Sequence, residues 1–528
     1  MSTARCVVFA AAIALASGTV YAQKVNRIIG KSNTYQRAED ACALSNGDVA
    51  LAGGRSEFTV DSFIQRAIVT RTGPDGVPIW QLAIGEPGSY NDEAFGVRQL
   101  PGGNLVAALH SGQTDQGLCA IGLNSAGTVL WKRRYPGAQS YPGSGMEIER
   151  TDSKDLAVIA NSYNATGVSS GQLLRIDASD GTPTLDFMYS IDPIIGYLYS
   201  FSDVAFGPGT DYFVTGSISL YNVLTGEFDN ELLIARIDRS GNAVWAKAFA
   251  NSVFEHPSDI SGNSIELTLS GNVAVVGRAA NPIEEFGPAS AIHIVVRPTD
   301  GLLLATGAVT NVQPASASLD RLSTGELVAS GTRTFGDGEG AAQMWLINPI
   351  DMTTYWRAEY VNGRTFGADA IEHLTPSQGL VLAGLGQDFL TGIGPSDQLF
   401  IRTDVTGDDA CAANIWIPDP IKPLVTATSV TLIRTTITGS SEYLAVSSLE
   451  VPATALPCTP ANPCPCDLNG DGFVDDADFV IFVNAYNILD CADPFMPAGC
   501  PADFNGDGFV DDADFVIFVP AYNELVCP

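Results

Sequence analysis

The feature that most restricts how this chain can fold is a degenerate repeat of roughly 50–60 residues between residue 24 and about residue 455. One half of each unit is a polar cluster that passes through a Gly turn into a short apolar run. It reads SNGDVALAGG at 45–54, PGGNLVAAL at 101–109, SGNVAVVG at 270–277, STGELVASG at 323–331 and SQGLVLAG at 377–384. The other half is a run, a turn and a second run that often ends in Trp: AIVTRTGPDGVPIW to Trp80, AIGLNSAGTVLW to Trp131 and LIARIDRSGNAVW to Trp245. Short β-rich runs separated by Gly, Asn and Asp turns predict antiparallel hairpins.

Four strands per unit, seven units and a partial eighth near Val430 to Val451 predict a mainly β fold, a seven- or eight-bladed propeller over 24–451. The opening run Val25 to Gly30 reads as a last strand without its blade, placed to complete the partial C-terminal unit and close the ring. β-sandwich domains are the alternative architecture. With its DxxGnxxW hairpins the region resembles a broad class of bacterial propellers, a class that implies no single function. A low content of Lys and Glu beside abundant Gly, Val, Ala, Ser and Thr agrees with strands and tight turns.

At the start, Arg5, the apolar stretch Val7 to Ala16 and the small-residue pattern Val20-Tyr21-Ala22 read as an export signal over 1–22. The stretch is shorter than the roughly 20 apolar residues that span a bilayer. The expectation is a secreted protein, extracellular or held at a cell surface, without membrane insertion. A formal net charge of -32 argues against nucleic acid and anionic membranes as partners, since both require a basic face. Pro452, Pro457, Pro460, Pro463 and Pro465 mark a semi-extended linker, drawn at 452–463, ahead of a small C-terminal domain at 464–528.

That last domain carries 13 acidic residues and no Lys or Arg, a composition that repels itself unless a cation neutralises it. Two of its segments align at a constant offset of 36 residues, each holding a twelve-residue loop of the EF type. Calcium takes 6–8 oxygens, and such a loop supplies them from positions 1, 3, 5, 7, 9 and 12. In the first loop these are Asp467, Asn469, Asp471, the Phe473 carbonyl, Asp475 and Asp478. In the second they are Asp503, Asn505, Asp507, the Phe509 carbonyl, Asp511 and Asp514. Gly472 and Gly508 stand at the sharply turned position 6, and Val474 and Val510 at the core-directed position 8. Helical spacing follows each loop, with Phe479, Phe482, Val483 and Tyr486 repeated as Phe515, Phe518, Val519 and Tyr522. Pro520 in the second copy predicts a kink or an end to that helix.

Paired Asp-x-Asn-Gly-Asp-Gly loops, Asp at position 12 and one helix after each loop resemble the type I dockerin family over about 65 residues. The resemblance implies two Ca2+ sites and attachment to a cohesin-like or other extracellular docking protein. At positions 10 and 11, where the family often carries a Ser/Thr-type pair in contact with cohesin, this chain has Asp476-Ala477 and Asp512-Ala513. Of ten cysteines, six crowd this end. Repeat symmetry suggests Cys464–Cys491 and Cys500–Cys527, leaving Cys458 to Cys466, a domain this small needing metals or staples.

The repeat region shows no catalytic motif. His110, His256, His293 and His373 have no metal-ligand spacing, there is no G-x-S-x-G elbow, and Glu284-Glu285 reads as solvated surface. The functional expectation is an exported calcium-binding modular protein, with a propeller recognition surface (a polysaccharide being one partner considered) and a docking tail. A dockerin-bearing polysaccharide hydrolase or lyase is the alternative.

Overall fold

The computed structural model describes most of residues 24–524. Outside it lie 1–23, 525–528 and connecting segments, chiefly 86–91, 136–145, 149–154, 252–259, 280–289, 387–396, 437–449 and 456–465, with 467, 469–473 and 505–507 in the loops. The export-signal reading falls outside the described residues. The chain divides into two compact units, 1–458 and 459–528. Among the described residues no helix is long and apolar enough to cross a membrane.

The first unit is a seven-bladed β-propeller. Its seven sheets follow the chain: strands within 34–84, 93–135, 146–190, 196–251, 260–309 and 319–360 make blades 1 to 6, and those within 366–403 open blade 7. Seven sheets taken in turn exclude the sandwich alternative. Within each blade the strands are antiparallel neighbours. The second strand is an unbroken apolar run because its sheet is covered on both faces by adjoining blades: Val49, Ala50, Leu51 and Ala52 are all fully buried, as are Val106, Ala107, Ala108 and Leu109. Outer strands alternate in part, Ala246 and Ala248 being buried while Lys247 between them is half-buried.

A recurring contact fixes each blade to the next. The turn between third and fourth strands rests on the preceding blade's outer strands, and an aromatic side chain from there bonds a turn carbonyl. Trp80 Nε1 donates to Ser125 O at 3.2 Å, Trp131 Nε1 to Ala178 O at 3.0 Å and Trp245 Nε1 to Pro298 O at 3.0 Å. Tyr135, Tyr189 and Tyr360 bond the carbonyls of Gly181, Gly241 and Gly407 at 2.7, 2.8 and 2.6 Å in the same manner. These glycines have φ of 73°, 82° and 82°, and a Cβ there would strike the aromatic rings beneath, Phe187 at 2.3 Å for Gly241. In blade 6 the corresponding residue is Met352, at φ 60°.

Nearer the axis, bulged inner strands aim polar side chains across the joints. Asp40 accepts from Val97 N at 2.8 Å, Asp203 from Ile265 N at 2.9 Å, and Ser264 Oγ from Leu319 N at 3.1 Å.

The structure corrects the expected eighth unit. Val25–Gly30 does close the ring, but by pairing with Asp397–Thr403 to complete blade 7. Among the described residues, the stretch from 413 to 455 forms no blade of its own. It runs back around the outside of the ring as a belt, against chain order. Ala413–Trp416 extends blade 6, Pro423 O accepts from Thr306 of blade 5, Val425–Val430 extends blade 4 and Ile433–Thr436 extends blade 3. Glu450 then bridges Gln81 of blade 1, and Ala453–Ala455 pairs with Val25–Gly30 on blade 7. The stretch read as a linker therefore begins as a blade strand. At about 3.3 Å per residue this segment reaches on the order of 140 Å. Exposed sheet edges invite pairing with other chains, so covering them accounts physically for a belt of Thr- and Val-rich strands.

The second unit is built on two helices, α1 (Asp476–Ile488) and α2 (Asp512–Glu524). Its core joins Val474, Phe482, Ala485, Val510 and Phe518. Phe482 and Phe518 stack with centroids 5.1 Å apart. Of the expected kink or end, the end is excluded: α2 continues through Pro520. Pro520 lies on the exposed side, where water can serve the carbonyl its missing N–H leaves over.

Candidate metal centre

Among the twelve expected ligands, Asp467, Asn469, Asp471, Phe473, Asn505 and Asp507 fall outside the described residues. Of the remaining six, Asp475 and Asp478 match Asp511 and Asp514 in the other copy, while Asp503 and Phe509 are described in the second copy alone. Asp475 is the N-cap of α1, and its carboxylate accepts from Ala477 N at 2.8 Å, as that of Asp511 accepts from Ala513 N at 2.8 Å. Position 12 lies three residues on. Asp478 accepts from Leu468 N at 2.7 Å and Asp475 N at 2.9 Å, and Asp514 from Phe504 N at 2.7 Å and Asp511 N at 2.9 Å. The two sets agree to within 0.1 Å. Asp503, at position 1, accepts from Gly508 N at 2.9 Å, with Gly508 at φ 92° in a conformation that suits glycine.

Asp478 and Asp514 are both fully buried. Burying a carboxylate without an opposite charge is expensive. The domain contains no Lys, Arg or His to supply one. An all-oxygen, carboxylate-rich donor set fits a hard divalent cation such as Ca2+ better than a soft metal.

The copies are also tied to each other. Tyr486 Oη on α1 donates to Asp512 Oδ1 at 2.6 Å, and Tyr522 Oη on α2 donates to Asp476 Oδ1. Residues 486 and 522, like 476 and 512, are related by the 36-residue offset, so the latch is reciprocal. It occupies the position-10 carboxylates. Asp490 and Phe509 add a backbone bridge between the first copy's end and the second loop.

The expected disulfide scheme is corrected. Cys491 pairs with Cys500 across nine residues, which excludes Cys464–Cys491 and Cys500–Cys527. Cys466 is a buried free thiol in the core, which excludes Cys458–Cys466. The bridge joins the end of one repeat to the start of the next, close to the Asp490–Phe509 contact, so it staples the connection instead of each copy. Cys42 and Cys119 are buried within the propeller.

The propeller offers a small cleft of about 70 Å³ on the face opposite the tight turns, spanning blades 7, 1 and 2. Tyr35, Gln36, Arg37, Ser56, Gln65 and Glu93 contribute to its lining. Arg37 is held by Glu93 at 2.8 Å and by Glu39 at 2.6 Å, and Tyr35 is 41% exposed. Gly54 leaves room for Glu93, whose Oε1 would lie 2.7 Å from a Cβ there. Sequence reading missed this cleft, because its residues come from three blades and share no local pattern.

Of the four histidines, His110 is buried beside Glu93 in strand register, and His256 lies outside the described residues, as do Glu284 and Glu285. His373 ends the strand Phe366–His373. His293 is buried and accepts from Trp345 Nε1 at 2.8 Å. Burial pulls its pKa down to about 4, outweighing the Met352 backbone contact. Desolvation lifts Asp203 to about 6 against its hydrogen bonds from Ser264, Ile265 and Val204.

No family model and no curated protein matches the chain. Among solved structures it is similar to a protein of unknown function from Dyadobacter fermentans, at 12% identity over 72% of this chain and 98% of that one, with a TM-score of 0.41. It is also similar to a variant of NanB sialidase from Streptococcus pneumoniae, at 11% identity over 75% and 72% of the two chains, with a TM-score of 0.37. Sqt1 from Chaetomium thermophilum is similar at 11% identity over 73% and 100%, also with a TM-score of 0.37. At such identities and scores none of these similarities says what this chain binds or does.

Proposed function

We propose that this is an exported modular protein in which a propeller presents a recognition surface and a calcium-folded, dockerin-like tail attaches it to an extracellular partner. The observation that carries the reading is the pair of fully buried carboxylates, Asp478 and Asp514, held by matching backbone donors in a domain without Lys, Arg or His. In this reading Ca2+ neutralises the loops, and its binding free energy becomes folding free energy of the tail. The other ligands are those expected from the loop positions, Asp467, Asn469, Asp471 and the Phe473 carbonyl in the first copy, with Asn505 and Asp507 in the second.

The cleft supports a polysaccharide as the propeller's ligand. It combines an exposed aromatic ring, Tyr35, with the polar groups of Arg37, Gln65, Ser56 and Glu93, groups suited to sugar hydroxyls.

Calorimetry and thermal unfolding of the full chain, with calcium and then with excess chelator, test the reading. Two equivalents of Ca2+ and an unfolding transition that moves down on chelation are expected. A tail whose unfolding ignores the chelator would overturn it.

A further inference from the structure

Ring closure in this propeller depends on one six-residue strand. Val25–Gly30 completes blade 7 by pairing with a strand more than 360 residues away in sequence. Left at that, it would be an outer edge strand, the kind most readily lifted from a sheet. The belt changes its position. Ala453–Ala455 pairs with Gly30, Ile29 and Ile28 on the free side, so the closing strand becomes an interior strand of a five-stranded sheet.

Just before this pairing, Glu450 spans the seam between blades 7 and 1. Its backbone exchanges hydrogen bonds with Gln81 of blade 1, at 2.7 and 3.0 Å. Its carboxylate bonds Lys31 at 2.8 Å, immediately after the closing strand, and also bonds Arg55 of blade 1. Arg55 is buried and further held by Glu57 at 2.9 Å and Gln81 at 3.1 Å. One belt residue thus grips both sides of the joint.

Ala453–Ala455 has the closing strand as its sheet partner, so its release would return that strand to an exposed edge.

We propose that Glu450 and Ala453–Ala455 are a lock on the propeller: they hold Val25–Gly30 as an interior strand, and the seam between blades 7 and 1 opens only once they have been released. Native-state hydrogen exchange on the full chain, followed by mass spectrometry along a denaturant gradient, tests this. In the parent protein, peptides covering 25–30 should never lose protection before those covering 450–455. In Glu450→Ala, exchange at 25–30 should quicken at least tenfold while 212–222 in blade 4 keeps its parent rate. Exchange at 25–30 ahead of 450–455 in the parent would overturn the lock. So would a Glu450→Ala protein whose 450–455 peptides exchange faster while 25–30 is unchanged. The parent gradient decides the question even if the variant fails to fold.

Discussion

At the scale of single residues, burial sets the behaviour of the groups that look most like chemistry. His293 accepts from Trp345 and is held neutral, with its pKa near 4. The unfolded chain would bind a proton between the ordinary histidine value, about 6.5, and pH 4, where the folded one does not. His293 therefore contributes stability that is complete above pH 6.5 and lost as pH falls toward 4, by up to roughly 3 kcal/mol. His293→Gln keeps an acceptor for Trp345 but does not titrate. Its stability relative to the parent should rise as pH falls from 7 to 4, measured by chemical denaturation, and a constant difference would disprove the assignment. Asp203 acts in the opposite sense. Lifted to about 6, it takes up a proton on folding, so its contribution is present at low pH and lost as pH rises from about 4 to 6. Met352 shows magnitudes deciding between effects. Glycine would relieve its φ of 60°, a gain of about 1 kcal/mol. The same change removes a buried side chain, a loss of about 2–5 kcal/mol. Met352→Gly should therefore destabilise the propeller, seen as a lower denaturation midpoint.

At the scale of elements, the repeated joint between blades explains how much could be read from sequence. Each Gly turn and each strand ending in Trp is local, and each recurs because every blade rests on its neighbour's turn. Tyr189→Phe removes only the hydroxyl that bonds Gly241 O, leaving a buried carbonyl unserved, at a cost of about 1–2 kcal/mol. Tyr135→Phe does the same one joint away, so the two losses should add in the double variant within about 0.5 kcal/mol. A strongly non-additive result would mean that the joints act as one unit. The belt was not legible in this way. Val425–Val430 reads as strand, but nothing local says whether it starts a new blade or extends blade 4, because an edge strand's partner is written elsewhere in the chain. The cysteines failed for a related reason. Symmetry assigned one bridge to each copy, whereas the connection between copies folds back and brings Cys491 to Cys500. The two helices of the tail were legible because their apolar spacing is local. The Tyr486–Asp512 latch was not, since it joins the end of one helix to the start of the other.

At the scale of the whole molecule, the two units should respond separately to their surroundings. The propeller's stability rests on stacked blades, and chelation should leave its unfolding where it was. Phe518→Ala, by contrast, should cost the tail about 3–5 kcal/mol and weaken calcium uptake with it, read by titration of the full chain. The belt also determines how the chain would carry a load. If the tail holds a partner while the propeller holds its ligand, tension enters the ring at Ala455 and meets Ala453–Ala455 and Glu450 first. Beyond them the attachments to blades 3, 4, 5 and 6 lie in series along the chain. Force would therefore unwind the belt as from a spool, paying out on the order of 150 Å of chain in stages before any blade is pulled apart. Such a linkage yields gradually, and the recognition surface stays folded while it does.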